Sequence, residues 1–199
     1  MMADRNYTYH LRSNNSVPFA YQKNYFTETE CDAIIDAGLH HINSVESYVG
    51  TDNTVVNEIR RNLIGFFPSK DERFAWIHKR VTDAIKSFNQ QFWNYNLDFL
   101  ETLQFTRYDR PGDFYTYHMD MNHSSIEQRK LSVSIQLSDP GSYQGSDLLF
   151  LNCGKNHYET VRDRGTIIMF PSFMIHQVTP LVSGTRYSLV GWVMGPPFK

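Results

Sequence analysis

The spacing of apolar residues changes near residue 100, and this change limits the folds that the chain can adopt. Before this point, apolar residues recur every three to four positions, which is the period of a helix that packs by one face. After it, apolar and polar residues alternate in short runs, which is the period of strands. Because helical and strand signals are segregated along the chain, the pattern disfavours a parallel α/β fold.

Two helices are predicted before residue 100. Thr27 and Glu30 fit a capping box at the start of the first helix, which should end near Gly38. Ser69 and Glu72 fit a second box, at the start of a longer helix. The apolar positions of the longer helix form one stripe that consists of Phe74, Ile77, Val81, Ala84, Ile85, Phe88 and Phe92. Strands are predicted between the helices, over residues 47–56 and 62–67.

Short strands separated by turn sequences are predicted after residue 100. They cover residues 102–108, 113–119, 130–138, 147–151, 165–170 with 173–178, and 185–193. Many short strands after a helical part predict a mainly β fold, a sandwich or barrel of jelly-roll type with N-terminal helices packed on one sheet. We expect one domain over residues 1–199, with helical support roughly over 27–92 and a β core roughly over 100–195.

Composition narrows the class of protein. No segment approaches the roughly 20 apolar residues that a membrane span needs, and the first residues do not resemble a secretory signal. Two cysteines, Cys31 and Cys153, argue against a disulfide framework. The net charge is −2, and no run of Lys and Arg is longer than a pair such as Arg60-Arg61, which disfavours a nucleic-acid partner without excluding it. We expect a cytoplasmic protein without a membrane partner, and the oligomeric state is not indicated.

Three residues of the second half have the pattern of a metal site. His118 and Asp120 are two positions apart on a predicted strand, so both side chains can face one ion, and His176 follows in an apolar run. Two imidazoles and one carboxylate on one face are typical of non-heme Fe(II) oxygenases. The alternatives are a solvated pair at a strand end and a core histidine. A rival pair with the same spacing, His157 and Glu159, leaves little room for strands before His176.

The predicted last strand places a cation on a face that we expect to be buried. Arg186, Ser188, Val190 and Trp192 alternate onto that face. A buried guanidinium needs a counter-charge, yet no acidic residue follows Asp163. The partner is therefore either an acidic residue from elsewhere in the fold or the carboxylate of a ligand, gripped in a fork, with Ser188 as a second donor.

The predicted strand over residues 130–138 has two different faces. One carries Leu131, Val133, Ile135 and Leu137, and the other carries Ser132, Ser134, Gln136 and Ser138. The polar face could simply meet water. We favour the alternative that the apolar face lies under the helices and the polar face lines a cavity, because the helical stripe needs an apolar sheet to cover. Arg186 would then oppose Gln136 across the cavity.

Taken in order, these residues resemble the Fe(II)/2-oxoglutarate-dependent oxygenases, and within them the prolyl 4-hydroxylase-like branch. The similar stretch runs from about Leu103 to Trp192, and its matching positions are Tyr108, Gly112, His118, Asp120, Leu137, Gly145, Leu148, Gly165, Phe170, Pro171, His176, Pro180, Gly184, Arg186, Ser188 and Trp192. The resemblance implies a double-stranded β-helix core of the jelly-roll, cupin-like kind. One departure is Ser146, where many members have a second glycine, and it puts the loop at the substrate mouth in doubt.

The resemblance also implies roles for the candidate residues. His118, Asp120 and His176 would bind Fe(II) and carry the catalysis. The far carboxylate of 2-oxoglutarate would be bound by Arg186 and by Tyr108, which stands ten residues before His118. Ser188 and Gln136 would belong to the same end of the pocket. Candidate substrate contacts are Trp192, Tyr117, Tyr115 and Arg61, with ordinary core aromatics and a solvated arginine pair as the alternatives.

The activity implied by the resemblance is hydroxylation of a prolyl residue in a peptide or protein. Fe(II), 2-oxoglutarate and O₂ would be used, succinate and CO₂ released, and ascorbate would stimulate turnover. Three alternatives stay open. The same chemistry could act on a free amino acid, another protein side chain or a nucleic acid. The chain could be a jelly-roll binding module with a vestigial metal site, or a zinc hydrolase with a general base beside one open position.

Overall fold

The structure is a computed structural model that describes residues 17–47, 57–121, 126–151 and 157–198. Its elements follow in the order β1 (Ala20–Gln22), α1 (Glu28–His40), β2 (Val45–Glu46), β3 (Arg60–Arg61), β4 (Leu63–Phe67), a 3₁₀ turn (Glu72–Phe74), α2 (Ala75–Phe88), a π-helix (Asn89–Trp93), β5 (Phe99–Leu100), β6 (Leu103–Tyr108), β7 (Phe114–His118), β8 (Gln128–Gln136), β9 (Tyr143–Gly145), β10 (Leu148–Leu151), β11 (His157–Glu159), β12 (Ile167–Pro171), β13 (His176–Val178), β14 (Leu181–Gly184) and β15 (Arg186–Gly195). No helix within these described ranges is long and apolar enough to cross a membrane.

One of the two predicted capping boxes is present. The Thr27 backbone N–H donates to Glu30 Oε2 at 2.8 Å, and the Glu30 N–H donates to Thr27 Oγ1 at 3.2 Å, so α1 begins as predicted. The box predicted from Ser69 is wrong. Asp71 accepts the backbone N–H of Arg73 instead and opens the 3₁₀ turn, and α2 follows directly. The carboxylate of Asp71 is also paired with the Arg73 guanidinium, which holds it at the cap.

The apolar stripe of α2 packs against the large sheet as predicted. Ile77, Val81 and Ala84 are buried in one hydrophobic cluster with Leu131 and Ile135 of β8. Phe92 lies beyond α2, in the π-helix, where it is only partly buried. The apolar face of β8 therefore lies under the helices, and its polar face points away from them.

The strands form two antiparallel sheets that face each other, with a small hairpin beside them. The larger sheet has the order β1-β12-β8-β15-β6-β4-β2, with β5 on β15, the second sheet has the order β11-β10-β13-β7-β3, and β14 pairs with β9. A second cluster between the sheets contains Tyr108, Phe150, Phe170 and Val178. The mainly β fold with helices on one sheet is confirmed.

The strand predictions succeed where the strands are long. Each segment predicted after residue 100 contains an observed strand, and the segment 165–170 with 173–178 corresponds to β12 and β13. The segment predicted over residues 62–67 corresponds to β4. Residues 48–56 lie outside the described ranges, so the strand predicted over residues 47–56 stays a prediction.

Candidate metal centre

The pairing of β7 with β13 brings two histidines together. His118 and His176 are direct partners across this pair. Asp120 lies just beyond β7, where its backbone N–H donates to the Ser172 carbonyl at 3.0 Å. The carboxylate oxygens of Asp120 are 3.6 Å from Nε2 of each histidine. One ligand atom from each of the three residues lies within 4.8 Å of the others, so the trio could hold one metal ion.

Backbone carbonyls fix both imidazole rings. His118 Nδ1 is 2.8 Å from the Thr116 carbonyl oxygen, and His176 Nδ1 is 2.9 Å from the Met174 carbonyl oxygen. Because a carbonyl only accepts, each Nδ1 carries the proton and donates, which leaves the lone pair of each Nε2 for an ion. Burial lowers the pKa of His176 to about 4, so this ring is neutral at physiological pH, as a ligand must be.

The third ligand supplies the negative charge. Burial alone would raise the pKa of Asp120, but the rings of His176 and His118 and the hydroxyl of Ser132 hold it well below its usual range. The side chain is therefore a carboxylate at neutral pH. Two imidazole nitrogens and one carboxylate oxygen on one side of an ion are a donor set that suits Fe(II) with open positions.

A β-bulge in β7 shapes the wall beside the trio. His176 faces His118, but the next aligned pair is Val178 with Tyr115, so β7 contains one more residue than β13 over this stretch. The bulge brings Tyr115 to the His118 side, where the two rings stack at a centroid distance of 3.5 Å. Tyr117 is 40% exposed and is not part of the cavity lining. Of the two tyrosines predicted as pocket walls, the structure brings only Tyr115 into the cavity.

The trio opens into a cavity between the two sheets. Its polar lining contains His118, Asp120, His176, Arg60, Gln104, Thr106, Tyr108, Ser134, Arg186 and Ser188. Arg186 is the first residue of β15, in the larger sheet. Arg186 therefore enters the cavity from the larger sheet, whereas the trio enters it from β7, the residues after β7, and β13 of the second sheet.

Arg186 is a buried cation with free hydrogen-bond donors. Its side chain is 2% exposed, its Nη2 donates to Gln136 Oε1 at 2.9 Å, and its guanidinium carbon lies 5.5 Å from the centre of the Tyr108 ring. Its Nε has no partner. No carboxylate of the described residues lies within ion-pair distance of it, which argues against an internal salt bridge and leaves room for a ligand anion.

Two predicted substrate contacts lie elsewhere. Arg61 pairs with Asp113 at 3.2 Å and donates to the Pro111 carbonyl, outside the cavity lining. The neighbouring Arg60 is the arginine that lines the cavity, because it is paired with Tyr115 of β7. Trp192 is buried with its ring 4.2 Å from the guanidinium carbon of Arg129 and is not part of the lining.

Other lining residues were not predicted, although a signal for them exists. Gln104, Thr106 and Tyr108 alternate on β6 and all line the cavity. Gln104 Nε2 donates to Thr106 Oγ1 at 2.9 Å, and both side chains are buried. The same two-residue period that assigns the faces of β8 and β15 assigns these positions once Tyr108 is placed in the pocket.

The remaining sequence predictions have definite places in the fold. Ser146, at the position of the expected second glycine, keeps a left-handed backbone with φ of 54° after Gly145 with φ of 72°. A non-glycine residue in this region carries about 1 kcal/mol of strain or more.

The rival metal pair, His157 and Glu159, lies on β11 at the edge of the smaller sheet. Glu159 is exposed there, and the His157 side chain lies outside the described part.

Sequence comparisons identify relatives of the β core. A family model described as the 2OG-Fe(II) oxygenase superfamily matches residues 103–194. A PKHD-type hydroxylase of Synechococcus sp. (strain CC9605) is 38% identical over 82 residues, which are 41% of this chain and 37% of that protein. A PKHD-type hydroxylase of Hyphomonas neptunium is 37% identical over 87 residues, which are 41% of this chain and 38% of that protein. The chain thus spans less than two fifths of the length of these relatives.

Solved structures share the fold over nearly the whole chain. A Pseudomonas putida prolyl-4-hydroxylase has a TM-score of 0.69 at 18% identity and covers 91% of this chain and 94% of its own. A Trichoplax adhaerens prolyl hydroxylase, solved in complex with a peptide fragment of the hypoxia inducible factor oxygen degradation domain, has a TM-score of 0.69 at 18% identity and covers 89% and 84%. At this identity the likeness shows the fold alone.

Proposed function

We propose that this chain, whose residues 103–194 match the model of the 2OG-Fe(II) oxygenase superfamily, is an oxygenase that hydroxylates a prolyl residue in a peptide or protein with Fe(II), 2-oxoglutarate and O₂. One observation carries the proposal. One cavity between the sheets contains both the trio of possible metal ligands and a buried arginine that has no acidic partner among the described residues. A dicarboxylate that chelates a metal through one end needs both features in one cavity.

The chain's residues can hold the ion. His118, Asp120 and His176 would bind Fe(II), and the carbonyl bonds of the two Nδ1–H groups would keep the rings in place. Tyr115 stacks on the His118 ring and restricts it from the other side. When bound, the ion supplies the redox chemistry that couples decarboxylation of 2-oxoglutarate to oxidation of a C–H bond.

The larger sheet can hold the co-substrate. Arg186 would bind the far carboxylate of 2-oxoglutarate, and Gln136 would orient the guanidinium through its bond to Nη2. Burial raises the pKa of Tyr108, so its hydroxyl stays protonated and can donate to the same carboxylate. Ser188 lines the cavity beside them and offers a further hydroxyl.

Apolar residues complete the cavity and limit the entry of water. Leu148, Phe170 and Val178 line it from both sheets, and Val190 lines it from β15. A cavity with little water strengthens the interaction between the buried guanidinium and a carboxylate and protects reactive species from side reactions. The residues thus position the reactants rather than carry out the redox step.

The choice of a prolyl substrate depends on likeness. The two solved structures described above are prolyl hydroxylases, and the Trichoplax adhaerens protein was solved with a peptide. Both facts support a peptide substrate for this chain, and neither identifies the residue that is oxidised. A free amino acid, another protein side chain and a nucleic acid are therefore included in the test.

The first experiment measures succinate formation with Fe(II) and 2-oxoglutarate, with and without ascorbate, and then with added proline-containing peptides, free amino acids and oligonucleotides. We expect slow succinate formation alone and faster formation, with one oxygen atom added to the product, when a proline-containing peptide is present. Absence of decarboxylation by the wild-type protein would instead indicate a binding module. Hydrolysis that depends on Zn²⁺ and needs no 2-oxoglutarate would indicate the hydrolase alternative.

A further inference from the structure

A second buried arginine lines the same cavity. Arg60 is 7% exposed and belongs to β3, where it is the direct partner of Tyr115. Its Nε donates to Asn62 Oδ1 at 3.0 Å, and its guanidinium carbon lies 4.6 Å from the centre of the Tyr115 ring. That ring is itself stacked on His118. These contacts hold the guanidinium beside the trio of possible metal ligands.

The neighbouring Arg61 has a carboxylate partner, which Arg60 lacks. Arg61 is neutralised by the fully buried carboxylate of Asp113 and also donates to the Pro111 carbonyl. Arg60 has no carboxylate within ion-pair distance among the residues that the structure describes, and its two Nη atoms make no hydrogen bond to them. A buried guanidinium with unused donors is costly unless a ligand supplies an acceptor.

The charges of the cavity do not cancel without a further anion. The chain contributes two cations, Arg60 and Arg186, and one anion, Asp120. Under the proposed function, a divalent metal ion and the dianion 2-oxoglutarate enter together and cancel each other. One positive charge is left over, and Arg186 is already assigned to the co-substrate.

From this imbalance we infer that the molecule to be oxidised carries a carboxylate, and that Arg60 binds it. The inference rests on the proposed function and deepens it, since it names the chemistry beside the oxidised position. The carboxylate has two sources, namely an acidic side chain next to a proline within a peptide, or the α-carboxylate of a proline at a carboxyl terminus. Tyr115 and Asn62 then act as positioning residues, because they fix the guanidinium.

Equilibrium binding tests the inference without turnover. The protein is loaded with Mn²⁺ and 2-oxoglutarate in the absence of O₂ and titrated with two matched pairs of short peptides. One pair has a central proline flanked by glutamate or by glutamine, and the other ends in proline with a free or an amidated carboxyl group. We expect the carboxylate member of one pair to bind about ten-fold or more tightly than its neutral match, and that pair identifies the source.

Variants connect the preference to the residue. Arg60→Gln should lose the preference, Arg60→Lys should retain part of it, and Arg61→Gln, the matched control, should retain all of it. Thermal melting of each variant checks the fold. The inference is overturned if the wild-type protein binds both members of each pair equally, if no carboxylate peptide binds, or if Arg60→Gln weakens both members equally.

Separate measurements distinguish this inference from the proposed function. The affinity of Arg60→Gln for 2-oxoglutarate, measured without peptide, separates the two anions that Arg60 could bind, and Arg61→Gln, outside the cavity lining, should keep the peptide-free decarboxylation of 2-oxoglutarate. Loss of the 2-oxoglutarate affinity in Arg60→Gln with the peptide preference intact would assign Arg60 to the co-substrate and overturn the inference. A stronger preference for a phosphate-bearing oligonucleotide than for every carboxylate peptide would also overturn it. If the wild-type protein does not decarboxylate 2-oxoglutarate at all, it is the proposed function that fails.

Discussion

The two faces of β8 are buried equally but for different purposes. Leu131 and Ile135 on one face are 0% exposed, and Ser132 and Gln136 on the other are 0% and 2% exposed. The apolar side chains pack against the helices, whereas Ser132 bonds Ser172 at 2.9 Å and Gln136 bonds Arg186. The exposed fraction of a side chain therefore does not distinguish a residue of the hydrophobic core from a residue of the candidate site. The difference lies in whether a buried group is satisfied by packing or needs a polar partner.

The comparison predicts that changes on the cavity side abolish activity and leave the fold intact. Asp120→Ala, which removes the carboxylate nearest both histidines, should give the largest effect. Changes in groups that only support metal ligands reduce metal affinity or activity by about 10- to 100-fold. Loss of a ligand itself should therefore reduce metal affinity and activity by more than about 100-fold. Metal content after dialysis and succinate formation measure this. Asp83→Ala on the surface of α2 is the control, and turnover that survives Asp120→Ala would contradict the metal assignment.

On the helix side of β8, the opposite outcome is expected. Ile135→Ala removes a fully buried side chain in contact with the helical layer and should lower the free energy of unfolding by about 2–5 kcal/mol. The folded fraction should keep its turnover, since no atom of the cavity lining is removed. Denaturant unfolding and activity per folded molecule provide the measurements. Ile135→Val should cost about 0.5–1.5 kcal/mol, and equal loss of stability in both variants would weaken the comparison.

The cavity side also predicts an effect on the co-substrate alone. Arg186→Ala should raise the 2-oxoglutarate concentration for half-maximal turnover by about 30- to 100-fold, because a buried charge-assisted fork is lost. Titration of turnover with 2-oxoglutarate measures the change. The exposed Arg110, paired with Glu46, offers a control in Arg110→Ala. An unchanged requirement would show that Arg186 is a structural residue.

A smaller effect should come from Gln136, which holds Arg186. Gln136→Leu removes one hydrogen bond from the guanidinium and should weaken 2-oxoglutarate binding by about three- to ten-fold. Gln136→Glu should weaken it more, because the new carboxylate would compete with the ligand for the same cation. Calorimetric titration of both variants separates orientation from charge. The reverse order of effects would mean that Arg186 faces no anionic ligand.

The regular strands could be assigned to faces from the sequence because a two-residue period is strict in a regular strand. That period placed Ser134 and Ser188 toward the cavity and Ile135 toward the helices, as observed. The same period fails for Tyr115: counted from His118, it places Tyr115 and Tyr117 on the opposite face, but the bulge in β7 inserts one residue and returns Tyr115 to the cavity, while Tyr117 stays exposed. No local pattern in the sequence marks that bulge.

Other features depend on contacts between distant segments. Arg60 and Arg61 are equivalent in sequence, and only the pairing of β3 with β7 turns one into the cavity and the other toward Asp113. Strands of two or three residues, such as β2 and β5, are too short for any periodicity. They are defined by the neighbouring strands that they join.

The direct pairing of His118 with His176 has a consequence for folding. These residues lie far apart in sequence and meet only when β7 and β13 are joined. An ion that needs both rings therefore binds the native state and not the unfolded chain. At a free concentration one hundred times its dissociation constant, such an ion would add about 2.7 kcal/mol to the free energy of unfolding. The melting temperature would then depend on metal supply, and metal starvation would shorten the lifetime of the folded protein as well as its activity.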